Sequence, residues 1–86
     1  MKIKVREATE ADVREVESWP EWSCEPSTFE WHYDEVETCY IIKGRATVKA
    51  DNQEVSFGPG DWVVFPKGLS CVWVVHESIR KKYSFS

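Results

Sequence analysis

Glu37 and Cys71 are the two side chains of this sequence with the clearest chemical potential. Glu37 enters a strand that reads CYII, flanked by Thr38 and Cys39. A carboxylate at the head of so apolar a run is costly to bury unless a metal, a substrate cation, an arginine or a tyrosine hydroxyl pairs with it. Left unpaired, burial would raise its pKa and suit it to general acid or base work. A structural hydrogen bond to Tyr33 or to a tryptophan N–H is the plainer alternative. Cys71 closes the stretch GPGDWVVFPKGLSC. With its pKa lowered by a cationic neighbour, it would be a nucleophile or a soft ligand. As a thiol among apolar groups it would be a small buried hydrophobe. Trp31, Tyr33 and Trp73 lie at alternate positions of their strands, where they form either an aromatic core or the walls of a site. Ring faces with one carboxylate suit a small cationic or planar molecule.

Other polar groups read as surface. His32 and His76 have outward parity if Tyr33 and Cys71 face inward. Lys67 sits at a tight turn, and Arg80-Lys81-Lys82 reads as a solvated basic spot, although alternation puts Lys81 and Tyr83 on one face with Ile79 and Phe85. For Cys24 and Cys39, core packing is the expected role. The three cysteines are odd in number and lack C-x-x-C spacing, which argues against a disulfide framework or a structural zinc site and for reduced thiols in the cytoplasm. A formal charge of −4 and a pI near 5.1 argue against nucleic-acid or membrane-surface partners. The opening MKIKVREATEADVREVE is charged, so no secretory leader is expected, and no apolar stretch has membrane-spanning length.

The elements that position these groups are short strands. KIKVR, residues 2–6, reads as an edge strand. TEADVREVESW is the one helix candidate, with Thr9 and Asp12 spaced as a capping box, Val13 and Val16 as a narrow apolar stripe, and Pro20 as the stop. After that the period is two. TFEWHY alternates Phe29, Trp31 and Tyr33 against Glu30 and His32. ETCYIIKG runs to Gly44, RATVKA and EVSF flank an Asp51-Asn52 hairpin, and DWVVF, SCVWVV and RKKYSF follow. Runs of four to six residues recurring at roughly ten-residue intervals predict an all-β sandwich or barrel. Gly58, Gly60, Pro66 and Gly68 read as its corners. Tyr40 and Ile42 give the ETCYIIKG strand an apolar outer face, to be covered by the N-terminal segment or by a second subunit.

The spacing Gly60, Pro66, Gly68, Cys71 resembles the second cupin motif, G-x5-P-x-G-x2-H-x3-N, and Glu37 with Gly44 resembles the E-x6-G half of the first. The chain is similar to small cupins related to ureidoglycine aminohydrolase and to ethanolamine-utilisation cupins. The resemblance implies an all-β cupin-type antiparallel β-barrel or jelly roll with one short N-terminal helix. One domain would span 1–86, with residues 1–20 packing on the barrel.

The resemblance also frames the site. Metal-binding cupins carry an H-x-H pair, a glutamate and a later histidine. Here Glu37 is kept, Cys71 stands at the later histidine and Val75 at the closing asparagine. The H-x-H positions fall on Trp31 and Tyr33 in one register, which alternation favours, or on Glu30 and His32 in the other. The second register offers Glu30, His32, Glu37 and Cys71, with Glu37, Cys71 and His32 as the leading ligands, for a divalent zinc, manganese or iron ion. The first leaves no favoured metal, because one carboxylate and one thiol hold such an ion weakly. Three functions follow. One is a pocket inside the barrel, hydrolase- or aminohydrolase-like on a small nitrogenous metabolite, with Glu37 and Cys71 as candidate catalytic residues and Trp31, Tyr33 and Trp73 binding the small-molecule ligand. The second is a non-catalytic ligand-binding or dimeric interaction module, since many cupins form homodimers. The third is a metal enzyme with the Glu/Cys/His set.

Overall fold

The computed structural model describes all residues, 1–86. Seven strands form one antiparallel sheet: β1 Lys4–Glu7, β2 Glu21–Cys24, β3 Ser27–His32, β4 Glu37–Ala50, β5 Gln53–Phe57, β6 Asp61–Phe65 and β7 Ser70–Phe85. A six-residue helix, α1 Glu10–Glu15, lies between β1 and β2 and runs into a 3-10 turn at Val16–Ser18. The strand order is β1-β6-β4-β7-β2, with β5 added on β4 and β3 added on β7.

Two strands are much longer than sequence punctuation suggests. ETCYIIKG and RATVKA form one 14-residue strand, and SCVWVV and RKKYSF form one of 16 residues. Each serves two neighbourhoods. The first part of β4 pairs with β6 and its last part with β5, while the first part of β7 pairs with β3 and its later part with β2. Between the parts, the β4–β7 register shifts three times from Ile41 to Ala46. Gly44 sits in this irregularity with φ +89°, and a Cβ there would overlap the Ser78 carbonyl oxygen. Gly44 therefore marks a bulge at which two long strands bend together, not a strand end. The sheet does not close into a barrel, and the fold is a cupin-type jelly-roll sandwich.

Gly60 and Gly68 do hold positive φ at corners of the fold, whereas Gly58 does not. The Gly58 turn is held by hydrogen bonds: its N–H donates to the Asp61 carboxylate at 2.9 Å, and the Asp61 N–H donates to its carbonyl at 3.1 Å. Thr9 and Asp12 form the reciprocal capping box. Of the helix stripe, Val16 is buried and Val13 exposed. The strand at residues 2–6 is shifted to Lys4–Glu7, where it pairs with β6. Trp62 of β6 is the register partner of Tyr40, and Trp19 packs on Trp62 with ring centroids 5.8 Å apart. The N-terminal segment therefore covers part of the outer face that Tyr40 helps to form. No helix is long and apolar enough to cross a membrane.

The inner face holds Cys39, Ile41, Ala46, Val48, Phe57, Val63, Phe65, Trp73, Val75 and Ile79, all essentially inaccessible. Trp73 is its hub, within 5.4–6.1 Å of the rings of Phe57, Phe65, Trp22 and Phe29.

Candidate functional site

Alternation on β4 turns Glu37, Cys39 and Ile41 inward, and their register partners on β7 are Phe85, Tyr83 and Lys81. The inward face of β7 therefore delivers a lysine into the interior. Lys81 is 5% exposed and Glu37 2% exposed. The Lys81 Nζ donates to Glu37 Oε2 at 2.6 Å, and the Tyr33 hydroxyl donates to Oε1 at 2.7 Å. The Trp73 indole N–H donates in turn to the Tyr33 oxygen at 3.3 Å. The ammonium also lies 4.8 Å from the ring centroid of Trp22 and 4.6 Å from that of Trp73. Every buried side-chain nitrogen and oxygen has a hydrogen-bond partner.

This corrects the surface assignment of Lys81. Arg80 and Lys82 do belong to the outer face, where they reach Glu21. Lys81 points the other way and supplies the cation that a buried Glu37 requires. Two signals for it were present in the sequence. A lysine shared the parity of Ile79 and Tyr83, and a glutamate on an apolar strand lacked a partner.

The network lies at the base of a cleft of about 220 Å³ lined by nine residues, seven of them hydrophobic. Trp22 comes from β2, Phe29 and Trp31 from β3, Tyr33 from the following loop, Glu37 from β4, and Trp73, Lys81, Tyr83 and Phe85 from β7. Tyr33 is fixed by backbone bonds to the β6–β7 turn, its N–H donating to Leu69 and its carbonyl accepting from Gly68. Its ring stacks on Phe65 at 5.0 Å. Burial and the adjacent Glu37 charge push its hydroxyl well above the ordinary tyrosine range, so it remains a proton donor to the carboxylate.

The structure brings four of the foreseen site residues together on the cleft, Trp31, Tyr33, Glu37 and Trp73, while Cys71, the register partner of Trp31, and His32 do not line it. Trp31 is half-exposed, and its indole also borders a second, shallower hollow beside His32, Ser70 and Cys71. Cys71 is buried in the core and does not line the aromatic cleft. Its thiol is pushed up to about 11, first by burial and then by the Glu37 charge, opposite to the depression expected of an activated nucleophile. Cys39 is fully buried and is pushed up to about 12, again mainly by burial.

His32 faces outward, with Nδ1 2.7 Å from the Ser70 hydroxyl. Of the two registers at β3, the one that turns Trp31 and Tyr33 to the site is therefore adopted. Glu37, Cys71 and His32 do not converge, and no three His, Cys, Asp or Glu side chains form a metal-holding group. The donor set also fits a divalent ion poorly. Both Glu37 oxygens already accept hydrogen bonds, and an ammonium stands where a bound cation would need to approach.

The EutQ-like cupin domain family matches residues 11–83. The chain belongs to the EutQ-like cupins. A DUF861-family protein from Thermotoga maritima is 41% identical, with a TM-score of 0.94 over 99% of this chain and 100% of that one. The EutQ protein of Clostridium difficile is 22% identical, with a TM-score of 0.72 over 96% of this cupin and 66% of the EutQ chain. A putative ethanolamine utilization protein Q from Salmonella typhimurium is 21% identical, with a TM-score of 0.70 over 96% of this cupin and 68% of its own chain. These two lower identities speak to the fold alone. No curated protein matches this cupin.

Proposed function

We propose that this cupin binds a small planar molecule in the aromatic cleft, against the Lys81–Glu37–Tyr33 network. The observation that carries the reading is the 2.6 Å Lys81–Glu37 contact at the base of a cleft whose other walls are mostly aromatic. A few convergent polar groups within apolar walls are what small-molecule sites require, and a cleft of about 220 Å³ restricts the ligand to roughly one ring. The polar groups orient one another through their mutual hydrogen bonds. Titration with small aromatic compounds, followed by tryptophan fluorescence and by the indole N–H resonances of Trp22 and Trp73, tests the reading. Saturable shifts at both indoles are expected. Shifts confined to the exposed Trp31, or none at millimolar concentration, would overturn it.

A second reading is acid–base chemistry on a small nitrogenous metabolite, hydrolase- or aminohydrolase-like. It is favoured by the contact of the Glu37 carboxylate with two proton-bearing groups, the Tyr33 hydroxyl and the Lys81 ammonium, one of which would have to give way to a substrate proton. Ammonia release from small ureido and amidine compounds, abolished by Glu37→Gln, is the expected outcome of that reading. Turnover that survives Glu37→Gln would exclude the carboxylate as the base.

A further inference from the structure

We infer that the ligand of the aromatic cleft carries a hydrogen-bond acceptor, most favourably a carboxylate, and that Lys81 is the residue that selects it. The inference rests on the proposed binding role and names the ligand's chemical class. The polar groups at the base of the cleft differ in the hydrogen-bonding capacity they have left. The Tyr33 hydroxyl donates to Glu37 and accepts from Trp73, so its donor is spent. Glu37 accepts from Tyr33 at one oxygen and from Lys81 at the other. A lysine ammonium carries three donors. Lys81 has one hydrogen-bond acceptor, Glu37 Oε2, and its remaining polar contacts are the ring faces of Trp22 and Trp73. It is thus the one cation lining the cleft, and it keeps unspent donors there, whereas the other wall groups able to donate are the neutral indoles of Trp22 and Trp31 and the Tyr83 hydroxyl.

The same geometry argues against a cationic ligand. Ring faces attract a cation through their quadrupole, but those of Trp22 and Trp73 already hold the protein's own ammonium. A second cation would meet like charge in a poorly solvated space, whereas a carboxylate would exchange π contacts for charge-assisted hydrogen bonds. Trp31 and Tyr83 would flank its ring.

The test compares three one-ring probes of the same size: benzoate, benzamide and benzylammonium. Binding is followed by calorimetry and by the indole N–H resonances. The expected order is benzoate, then benzamide, then benzylammonium, with benzoate at least about tenfold tighter than the cation, as one charge-assisted hydrogen bond supplies. Glu37→Gln should tighten benzoate further, because the ammonium then loses its competing anion. Lys81→Met should abolish the preference. Should that variant not fold, Lys81→Met with Glu37→Gln removes both buried charges and answers the same question. Equal affinity for the three probes, or a preference for benzylammonium, would overturn the acceptor inference and leave the cleft as a binding site. Binding by none of them would overturn both.

Discussion

Neighbouring residues of β7, Arg80 and Lys81, each pair with a glutamate, and the two pairs have almost nothing else in common. Arg80 meets Glu21 at 2.9 Å on the outer face, with side chains 51% and 36% exposed. Lys81 meets Glu37 at 2.6 Å with side chains 7% and 3% exposed. Water screens the outer pair and takes over from either partner if the other is lost, so it adds little. For the inner pair, attraction is strong but each ion has given up its hydration, and either partner alone would be stranded. One residue of strand alternation separates a dispensable surface contact from an obligatory core contact.

The largest expected effect breaks the inner pair. Lys81→Met should cost about 3–5 kcal/mol in chemical denaturation, because Glu37 is left charged and buried. Adding Glu37→Gln should recover most of that loss, giving a large coupling in a double-mutant cycle. Strictly additive losses would mean that the two groups do not act as a pair.

Removing the Trp73 side chain attacks the wall that the inner pair leans on. Trp73→Ala should cost about 3–5 kcal/mol through the cavity it leaves. Trp73→Phe keeps most of that packing but takes away the N–H on Tyr33, with a loss on the order of 1 kcal/mol. Equal losses for both variants would show that the hydrogen bond, not the packing, matters there.

The third prediction concerns alkaline pH around the same core. The thiols of Cys39 and Cys71 are raised from 9.0 to about 12 and about 11 in the folded chain. A raised pKa means that the folded state keeps a proton that the unfolded chain releases. Their contribution is complete below pH 9 and is lost as pH rises toward 11 and then 12. Denaturation midpoints should therefore be flat with respect to these groups up to about pH 9 and fall above it. At pH 8, Cys24 should react with Ellman's reagent while Cys39 and Cys71 stay protected until the chain unfolds. Rapid labelling of Cys71 in the native protein would revive its candidacy as a nucleophile.

The smallest effects belong to the surface. Arg80→Ala should leave the melting temperature nearly unchanged, with whatever difference exists vanishing in high salt. Asp12, held at about 2 first by Arg6 and then by the Thr9 backbone N–H, contributes in full only above the ordinary carboxylate range. That contribution fades as pH falls from about 4 toward 2, and an NMR titration of the Asp12 carboxyl should have its midpoint near 2. A surface variant as costly as Lys81→Met would erase the distinction between the two pairs.

Much of this was legible in one dimension. Period-two runs between Gly and Pro corners announced an all-β fold, and the Thr9/Asp12 spacing announced the helix start, because both are rules of local backbone geometry. The parity of TFEWHY placed Tyr33 inward, and the apolar setting of Glu37 announced that it needed a partner. Strand ends were less legible. Gly44 reads as a terminator in isolation, yet here it lets two long strands bend together, and only the close approach of the Ser78 carbonyl distinguishes the two. The fate of Cys71 was likewise undecidable, since a thiol's pKa depends on burial and neighbouring charge rather than on its position in a motif.

Sequence by itself determined the strand period, the corners and the side of each strand on which each residue lies. It therefore already contained the statement that Lys81 shares a face with Ile79 and Tyr83. Which face became the interior, and which residue stood opposite, was decided only when β4 paired with β7 and put the inward sides of Glu37 and Lys81 together. Alternation is a property of one strand's backbone, whereas a buried ion pair depends on how two strands pair and brings together residues 44 apart in the chain.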